Sequence, residues 1–424
     1  GFADVWWRGK FAWEYKTLAE AVAVGRDTTG YNDDSVWPDH IIEVEPLGID
    51  SGNIVWEWHA WDHLIQDFDP NLPNFGVVAD HPERIDINFD PEVSADWHHM
   101  NAIDYNEELD QILVSVPNFN EVWVIDHSTT TAEAAGSTGG NSGMGGDLLY
   151  RWGAPEAYGR GTAADQRLFF QHDARWLGPG LPPNDPDKGK ILVFNNRLGG
   201  NYSSVDMFVP PVDGQGNYPL APGDTFGPDS AAWRYTAPTP TDMFSAGLSG
   251  AHKTPNGNFV ICVGRNGWIL EVDAMGNLHW EYKIPMAQGV PVAQGTNLQP
   301  GQSVFRATKY SSDHPFLSGQ ALPPLGYIEL QPDTTFCGSF NVAVRPLEAD
   351  EGSLVYPNPT TGIFSLAGRP GEAVEVLDLS GKVVASRRAQ GGAEWIDLSH
   401  LADGAYVVRI GEHSRTILLK QGGR

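Results

Sequence analysis

The stretch Ile269-Leu270-Glu271-Val272-Asp273-Ala274-Met275-Gly276-Asn277-Leu278-His279-Trp280-Glu281-Tyr282 decides the fold. Apolar and polar residues alternate on both sides of Met275-Gly276-Asn277, the period-two pattern of paired strands, and the Gly-Asn tip supplies the positive φ that a tight hairpin needs. Its ending, an aromatic, a charged residue and a second aromatic, recurs as Trp13-Glu14-Tyr15, Trp56-Glu57-Trp58, Tyr150-Arg151-Trp152 and Trp233-Arg234-Tyr235. A similar hairpin runs from Ile41-Ile42-Glu43-Val44 to Asn53-Ile54-Val55-Trp56. The first aromatics of the five copies are 43, 94, 83 and 47 residues apart. A four-stranded propeller blade takes about 40 to 50 residues, so each short interval measures one blade. The long intervals hold insertions: residues 129–147 are rich in Thr, Gly, Ser and Ala, and residues 178–189 in Pro, Asp and Gly. The expectation is an all-β chain whose residues 1–345 form a β-propeller, taken as six-bladed with part of the first blade missing. Radial repetition hides strand edges in neighbouring blades, which protects so long an all-β chain from edge-to-edge aggregation.

Composition agrees. Of 424 residues, 48 are Gly, 31 Pro and 15 Trp, while only 19% are charged, which excludes a helical bundle or coiled coil. The net charge of −27 leaves no broad basic face for a phosphate backbone, so no nucleic-acid partner is expected. No run of 18 apolar residues is present, so no transmembrane segment is expected. The chain begins at Gly1 without a signal peptide and is read as processed or truncated. Its two cysteines, Cys262 and Cys337, allow one disulfide and no thiol metal site.

Near residue 350 the character changes. Only Trp395 of the fifteen tryptophans lies beyond it, and the acidic excess vanishes. Short alternating segments at 363–366, 374–378, 383–386, 395–398, 405–410 and 416–420 predict a small immunoglobulin-like β-sandwich over residues 353–424, after a linker at 346–352. This tail resembles the C-terminal sorting domain of type IX secretion substrates. The resemblance lies in Tyr356-Pro357-Asn358-Pro359 with Thr361-Gly362, in Val376-Leu377-Asp378-Leu379-Ser380-Gly381-Lys382, and in Leu401-Ala402-Asp403-Gly404-Ala405-Tyr406. It implies a secreted or surface-attached protein whose partner is the type IX machinery.

Thirteen histidines are present. His127, His279, His400 and His413 stand on strands or hairpin ends without companions, and His40, His81 and His314 read as loop residues. His59 and His63 flank Trp61-Asp62 and could face a propeller axis, whereas His98 reads as packing. Three share a context, each just before a blade's first strands: His99 in Trp97-His98-His99-Met100-Asn101, His172 in Gln171-His172-Asp173-Ala174, and His252 in Gly250-Ala251-His252-Lys253. First strands line the central channel, so residues far apart in sequence converge there. Arg197, in Phe194-Asn195-Asn196-Arg197, adds a cation. Clustered His and Arg suit an anion better than a metal ion, so no metal and no cofactor are expected.

The body is similar to the arylsulfate sulfotransferases, propeller enzymes of bacterial envelopes. The similarity is carried by Ile54-Val55-Trp56-Glu57-Trp58 with Trp61-Asp62-His63-Leu64, by Asp96-Trp97 with His99 and Asn101, by residues 121–128 and 145–153, by Gln171-His172-Asp173-Ala174, and by Ser249-Gly250-Ala251 with Pro255-Asn256-Gly257-Asn258. It implies sulfuryl transfer from an aryl sulfate to a phenolic acceptor through a sulfated histidine. His252 would then be the nucleophile, with His99, His172 and Arg197 around the sulfuryl oxygens and Asn101 or Asn196 binding substrate. The alternative is a non-catalytic surface propeller for adhesion, glycan binding or assembly. A metal-dependent hydrolase or quinone dehydrogenase has less support, since the sequence has no haem attachment motif or Ca²⁺ loop. A homo-oligomer is left open.

Overall fold

The computed structural model describes residues 13–178, 180–293, 296, 301–310, 314, 317, 327–332, 363–368, 370–378, 381–390, 392–410 and 413–419. The chain divides into two compact units, Gly1–Pro332 and Asp333–Arg424. The expected linker at 346–352 and the second cysteine, Cys337, lie outside the described residues; Cys262 is buried.

The first unit is a run of antiparallel meanders. A hairpin pairs β1 (His40–Leu47) with β2 (Ser51–His59). Three four-stranded sheets follow, each in chain order: β3 (Ala102–Asn106), β4 (Gln111–Val116), β5 (Glu121–Asp126) and β6 (Tyr150–Trp152); β7 (His172–Trp176), β8 (Ile191–Asn195), β9 (Ser204–Phe208) and β10 (Trp233–Tyr235); β11 (Gly250–Lys253), β12 (Phe259–Val263), β13 (Trp268–Val272) and β14 (Leu278–Lys283). The aromatic-charged-aromatic phrase forms β6 and β10 and lies within β14 and β2, so in each complete sheet it is the fourth strand. Sheets built alike, one after another, are propeller blades. Three complete blades and the phrase-bearing hairpin β1–β2 stand among the described residues.

First strands meet first strands. Trp176 at the end of β7 donates its N–H to Asp104 Oδ2 on β3, 2.7 Å. The Asn101 amide donates to the Gln171 carbonyl, 2.8 Å. A Cβ on Gly250 would stand 2.1 Å from Asp173 Oδ2, so glycine is what lets β11 close on β7. Between blades, apolar faces of successive sheets interdigitate: Leu113, Val122 and Val124 pack with Trp152, Ile191, Val193 and Phe208, and Leu192, Phe194 and Met207 with Phe259, Ile261 and Leu270. Burial of this kind contributes about 1.5–3 kcal/mol per large side chain.

In the second unit six strands stand among the described residues. Ile363–Gly368 pairs with Gly392–Asp397, and Val383–Arg388, Ala373–Leu377, Gly404–Ile410 and His413–Leu419 form a four-stranded sheet in that order. Phe364 and Ile396 from the pair share a core with Val374, Val376, Tyr406 and Val408 from the sheet, giving the expected small sandwich. Asp378 donates its N–H to the Lys382 carbonyl, 2.9 Å, and Gly381 has φ +83°.

Candidate functional site

The backbone is strained where the first strands begin. His99, Phe170, Asp173, Leu248 and Ser249 all have φ between 55° and 88°, a region that costs a non-glycine residue about 1–3 kcal/mol. These five belong to three successive blades and flank the starts of β3, β7 and β11. Such strain persists only where the surroundings over-determine it, and two of the five, His99 and Phe170, stack on each other.

A layer of side chains is built on Phe170. The His99 ring stacks 6.4 Å from it, the His172 ring lies 5.8 Å away, and the Arg197 guanidinium sits 3.7 Å from its ring centroid. Twenty-five residues separate His172 from Arg197, yet the pairing of β7 with β8 brings them together. Arg197 is held by its own N–H to the Phe169 carbonyl, 3.0 Å, and by Nε to the Ala246 carbonyl, 3.0 Å. Gly247 closes one side: a Cβ there would lie 3.7 Å from Arg265 Nη2, 3.8 Å from Phe170 and 3.9 Å from His172 Cε1.

The three expected imidazoles differ in what their nitrogens do. His172 is buried; its Nδ1 donates to Asn196 Oδ1 at 2.9 Å, and its Nε2 accepts the Leu248 N–H at 3.1 Å. Burial pushes its pKa down to about 4, so it is neutral near pH 7. Asn196 in turn donates to the Ser245 and Leu248 carbonyls, both 2.9 Å, fixing the loop before β11. His99 Nδ1 faces Asp96 Oδ2 at 2.6 Å, while its Nε2 has no hydrogen-bond partner among the described residues. His252 lies on β11.

Register sets His252 at a different level of the strands from His172. His172 pairs with Phe194 and Gly250 with Cys262, the fourth residue of β8 and of β12; His252, two residues past Gly250, pairs with Val260. It stands at the level of Arg175 on β7, not of His172. Its Nε2 accepts the Lys309 N–H at 3.1 Å, and burial together with the nearby Arg175 charge brings its pKa down to about 4. Asp173 joins the two levels, binding Arg175 at 2.7 and 2.8 Å and Arg306 at 2.9 Å. Arg175 Nε, Asn101 Oδ1 and Gln171 Oε1 are buried without partners. Unpaired polar atoms of this kind are the points where water or a ligand is accommodated.

Arg265 was not singled out in the sequence. It lies three residues beyond Cys262, as Arg197 lies three beyond Phe194, so the two arginines hold equivalent positions on successive blades. Comparing Phe194-Asn195-Asn196-Arg197 with Cys262-Val263-Gly264-Arg265 would have found it. Two other histidines, His98 and His63, are held within packed or hydrogen-bonded surroundings. His98 is fully buried against Trp97, Phe119 and Trp123, and burial takes its pKa to about 3. His63 lies between Asp147, 2.7 Å, and the Ala134 carbonyl, 2.9 Å. His40 is on strand β1, not in a loop. Two concavities, of about 860 Å³ beside Tyr105, His127 and Trp176 and about 680 Å³ beside Trp61, Arg84 and Asp147, contain none of the residues of the His99 layer. What marks the layer is its chemistry, not its volume.

Residues 13–143 match the family model of the arylsulfotransferases (ASST), and residues 354–421 match that of the secretion system C-terminal sorting domain. No curated protein matches the chain. Among solved structures, a protein of unknown function from Bacteroides caccae is 12% identical over 83% of this chain and 73% of its own, with a TM-score of 0.28. The Cps50 (Swd1) β-propeller domain of Myceliophteria thermophila is 10% identical over 60% of this chain and 56% of its own, TM-score 0.29. PorZ, a surface component of the type IX secretion system of Porphyromonas gingivalis, is 9% identical over 90% of this chain and 57% of its own, TM-score 0.19. No helix among the described residues is long and apolar enough to cross a membrane, and the sorting domain addresses the chain to type IX secretion, to the cell surface or beyond. The chain thus joins a segment that matches the arylsulfotransferase model to one that matches the secretion system C-terminal sorting domain.

Proposed function

We propose that this protein is a secreted aryl sulfotransferase, which moves a sulfuryl group from an aryl sulfate ester to a phenolic acceptor through a sulfated histidine, with His99 as that histidine. The observation that carries the assignment is the state of the three lone pairs. A neutral imidazole has one nitrogen lone pair. In His172 it accepts the Leu248 N–H and in His252 the Lys309 N–H, whereas in His99 Asp96 takes the Nδ1 proton and leaves Nε2 free. The nucleophile's role expected of His252 passes to His99.

The chemistry then runs in two halves. His99 Nε2 attacks sulfur in line with the ester oxygen; the N–S bond forms as the S–O bond breaks, and the aryl oxygen leaves as phenolate, protonated by water. The acceptor phenol next attacks the sulfuryl group, gives its proton to solvent, and returns His99 to its neutral state. Charge in such a loose transition state sits on the peripheral and leaving oxygens. Arg197 and Arg265, fixed on Phe170 and beside Gly247, are the donors for those oxygens. Asp96 stabilises the positive ring that sulfation creates, and Asn196 with His172 sets the position of the Arg197 loop. Asn101, with its free Oδ1, is a substrate-facing acceptor for a phenol hydroxyl.

Release of nitrophenol from p-nitrophenyl sulfate, with and without added phenol, tests the reading. Intact protein should show phenol-dependent release and a trapped sulfuryl adduct by mass spectrometry. His99→Ala should lose both, while His252→Ala keeps the adduct. An adduct retained by His99→Ala and lost by His252→Ala returns the role to His252. Absence of turnover across a panel of aryl sulfates favours a non-catalytic surface propeller.

A further inference from the structure

A second cluster lies at the open end of hairpin β1–β2. His40 and His59 are cross-strand partners, so their side chains leave the same face of the hairpin. Their rings stack 5.3 Å apart, within 11° of parallel. Glu14 is brought to them by the bridge between Trp13 and Asp39 and by its own N–H to the Pro38 carbonyl, 2.8 Å. One ligand atom from each of Glu14, His40 and His59 lies within 4.8 Å of the other two. Among the described residues they are the one such group of three.

Three features point to a cation rather than to ordinary pairing. His40 Nδ1 is buried and has no hydrogen-bond partner, although a carboxylate and a second imidazole stand beside it. His59 lies between two carboxylates, with Nδ1 2.7 Å from Glu14 Oε1 and Nε2 3.1 Å from Glu57 Oε2. A histidine that offers one nitrogen inward and gives its other N–H to a carboxylate has the arrangement that orients metal-binding imidazoles. Lys16 holds the far oxygen of Glu14 at 2.9 Å, which leaves Oε1 to face the imidazoles.

We propose that Glu14, His40 and His59 form a binding site for a divalent transition metal ion of the zinc class, with Glu57 as the outer carboxylate and a fourth position open to water. Two imidazoles and one carboxylate with an open position are a donor set that zinc accepts. Bonds of about 2.0–2.2 Å from zinc to nitrogen or oxygen put tetrahedral ligands about 3.3 Å apart, inside the spread seen here and reachable by small side-chain rotations. On binding, the ion replaces the proton between His59 Nδ1 and Glu14, and that proton goes to solvent. The ion would tie the segment around Glu14 to β1 and β2, so binding should also raise thermal stability.

The test is titration of the chelator-treated full chain with zinc chloride against a chromophoric chelator, with the thermal midpoint followed in parallel. One zinc per chain, a raised midpoint and no response to magnesium are expected. His40→Gln and Glu14→Gln should each weaken binding by more than tenfold, and Glu57→Gln by roughly tenfold, as outer-carboxylate losses do. His279→Gln, an exposed surface histidine beside Asp273, should leave binding unchanged. Circular dichroism identifies any variant that does not fold, and Glu57→Gln, which removes no direct ligand, then carries the comparison. Zinc uptake that is unaltered in His40→Gln and Glu57→Gln, or equally reduced in His279→Gln, means an adventitious ion only and overturns the proposal. So does no uptake.

Discussion

His99 Nδ1 lies 2.6 Å from Asp96 Oδ2, and the chain between them ends in a left-handed turn at His99 itself. That turn, three residues before β3, sets the imidazole over Phe170. A carboxylate in this position fixes the tautomer and stabilises positive charge on the ring. Asp96→Asn keeps the shape, removes the charge and can present either end of its amide. Turnover of p-nitrophenyl sulfate should fall by on the order of 10² to 10⁴ with KM little changed. Asp96→Glu should recover part of the loss. A KM increase at constant kcat would instead make Asp96 a mere scaffold residue.

Arg197 and Arg265 reach the same layer from equivalent positions on adjacent blades. Two planar cations aimed at one sulfuryl group act on developing charge, so each should matter more to the transition state than to substrate binding. Arg197→Ala and Arg265→Ala are each expected to lower kcat/KM by roughly 10²–10³, the cost of removing one fixed donor. Arg197→Lys should rescue poorly, because an ammonium can neither lie flat on Phe170 nor offer two parallel N–H groups in a rigid planar fork. Steady-state kinetics of the three variants checks this; an Arg265→Ala enzyme with unchanged kcat/KM removes that residue from the site.

The blade strands and the tail sandwich were legible in the sequence because two-residue alternation and Gly-centred turns are local signals. The recurring phrase was legible too, and its place as the fourth strand follows from the hairpin that precedes it. Register was not. Between His172 and Arg175 the pairing of β7 with β8 shifts by one residue, and this irregularity sets His172 level with Gly250. No alternation pattern reports such a shift. The strained residues escaped for a related reason: a left-handed Phe170 or Leu248 is imposed by tertiary contacts, and its own side chain gives no sign of it. His40 read as a loop residue because Pro38-Asp39 precede it, yet it opens strand β1.

Arg151, the middle residue of a repeat phrase, shows why that phrase carries a charge. Its guanidinium is buried with Glu121, Nε lying 3.1 and 3.0 Å from the two carboxylate oxygens, and both side chains are 0% exposed. It also donates to the Arg84 carbonyl at 2.8 Å and packs against Trp123 and Tyr158. Removing one member of such a pair strands the other charge. Arg151→Met should cost about 3–5 kcal/mol, and Arg151→Met with Glu121→Leu distinctly less. Denaturant midpoints of the wild type and the two variants decide; equal losses would show that the pair is held for packing alone.

Asp39 supplies a pH-dependent test of the ground beneath His99. Its Oδ2 accepts the Met100 N–H at 2.6 Å, and its own N–H donates to His98 Nδ1 at 3.2 Å. Burial raises its pKa from 3.8 to about 7, with the Met100 N–H acting against the rise. The folded state then binds more protons than the unfolded state between those values, so the contribution of Asp39 to stability is full below 3.8 and is lost as pH rises through about 7. Asn in its place can still accept from Met100 and carries no charge at any pH. Asp39→Asn should therefore gain on the wild type as pH rises from 5 to 8, when urea midpoints are compared at each pH. His98 titrates in the opposite sense: burial lowers its pKa to about 3, and its contribution is lost only as pH falls below about 6.5. It is present in both proteins and cancels in the difference, so a difference that stays flat from pH 5 to 8 would mean that Asp39 is ionised throughout.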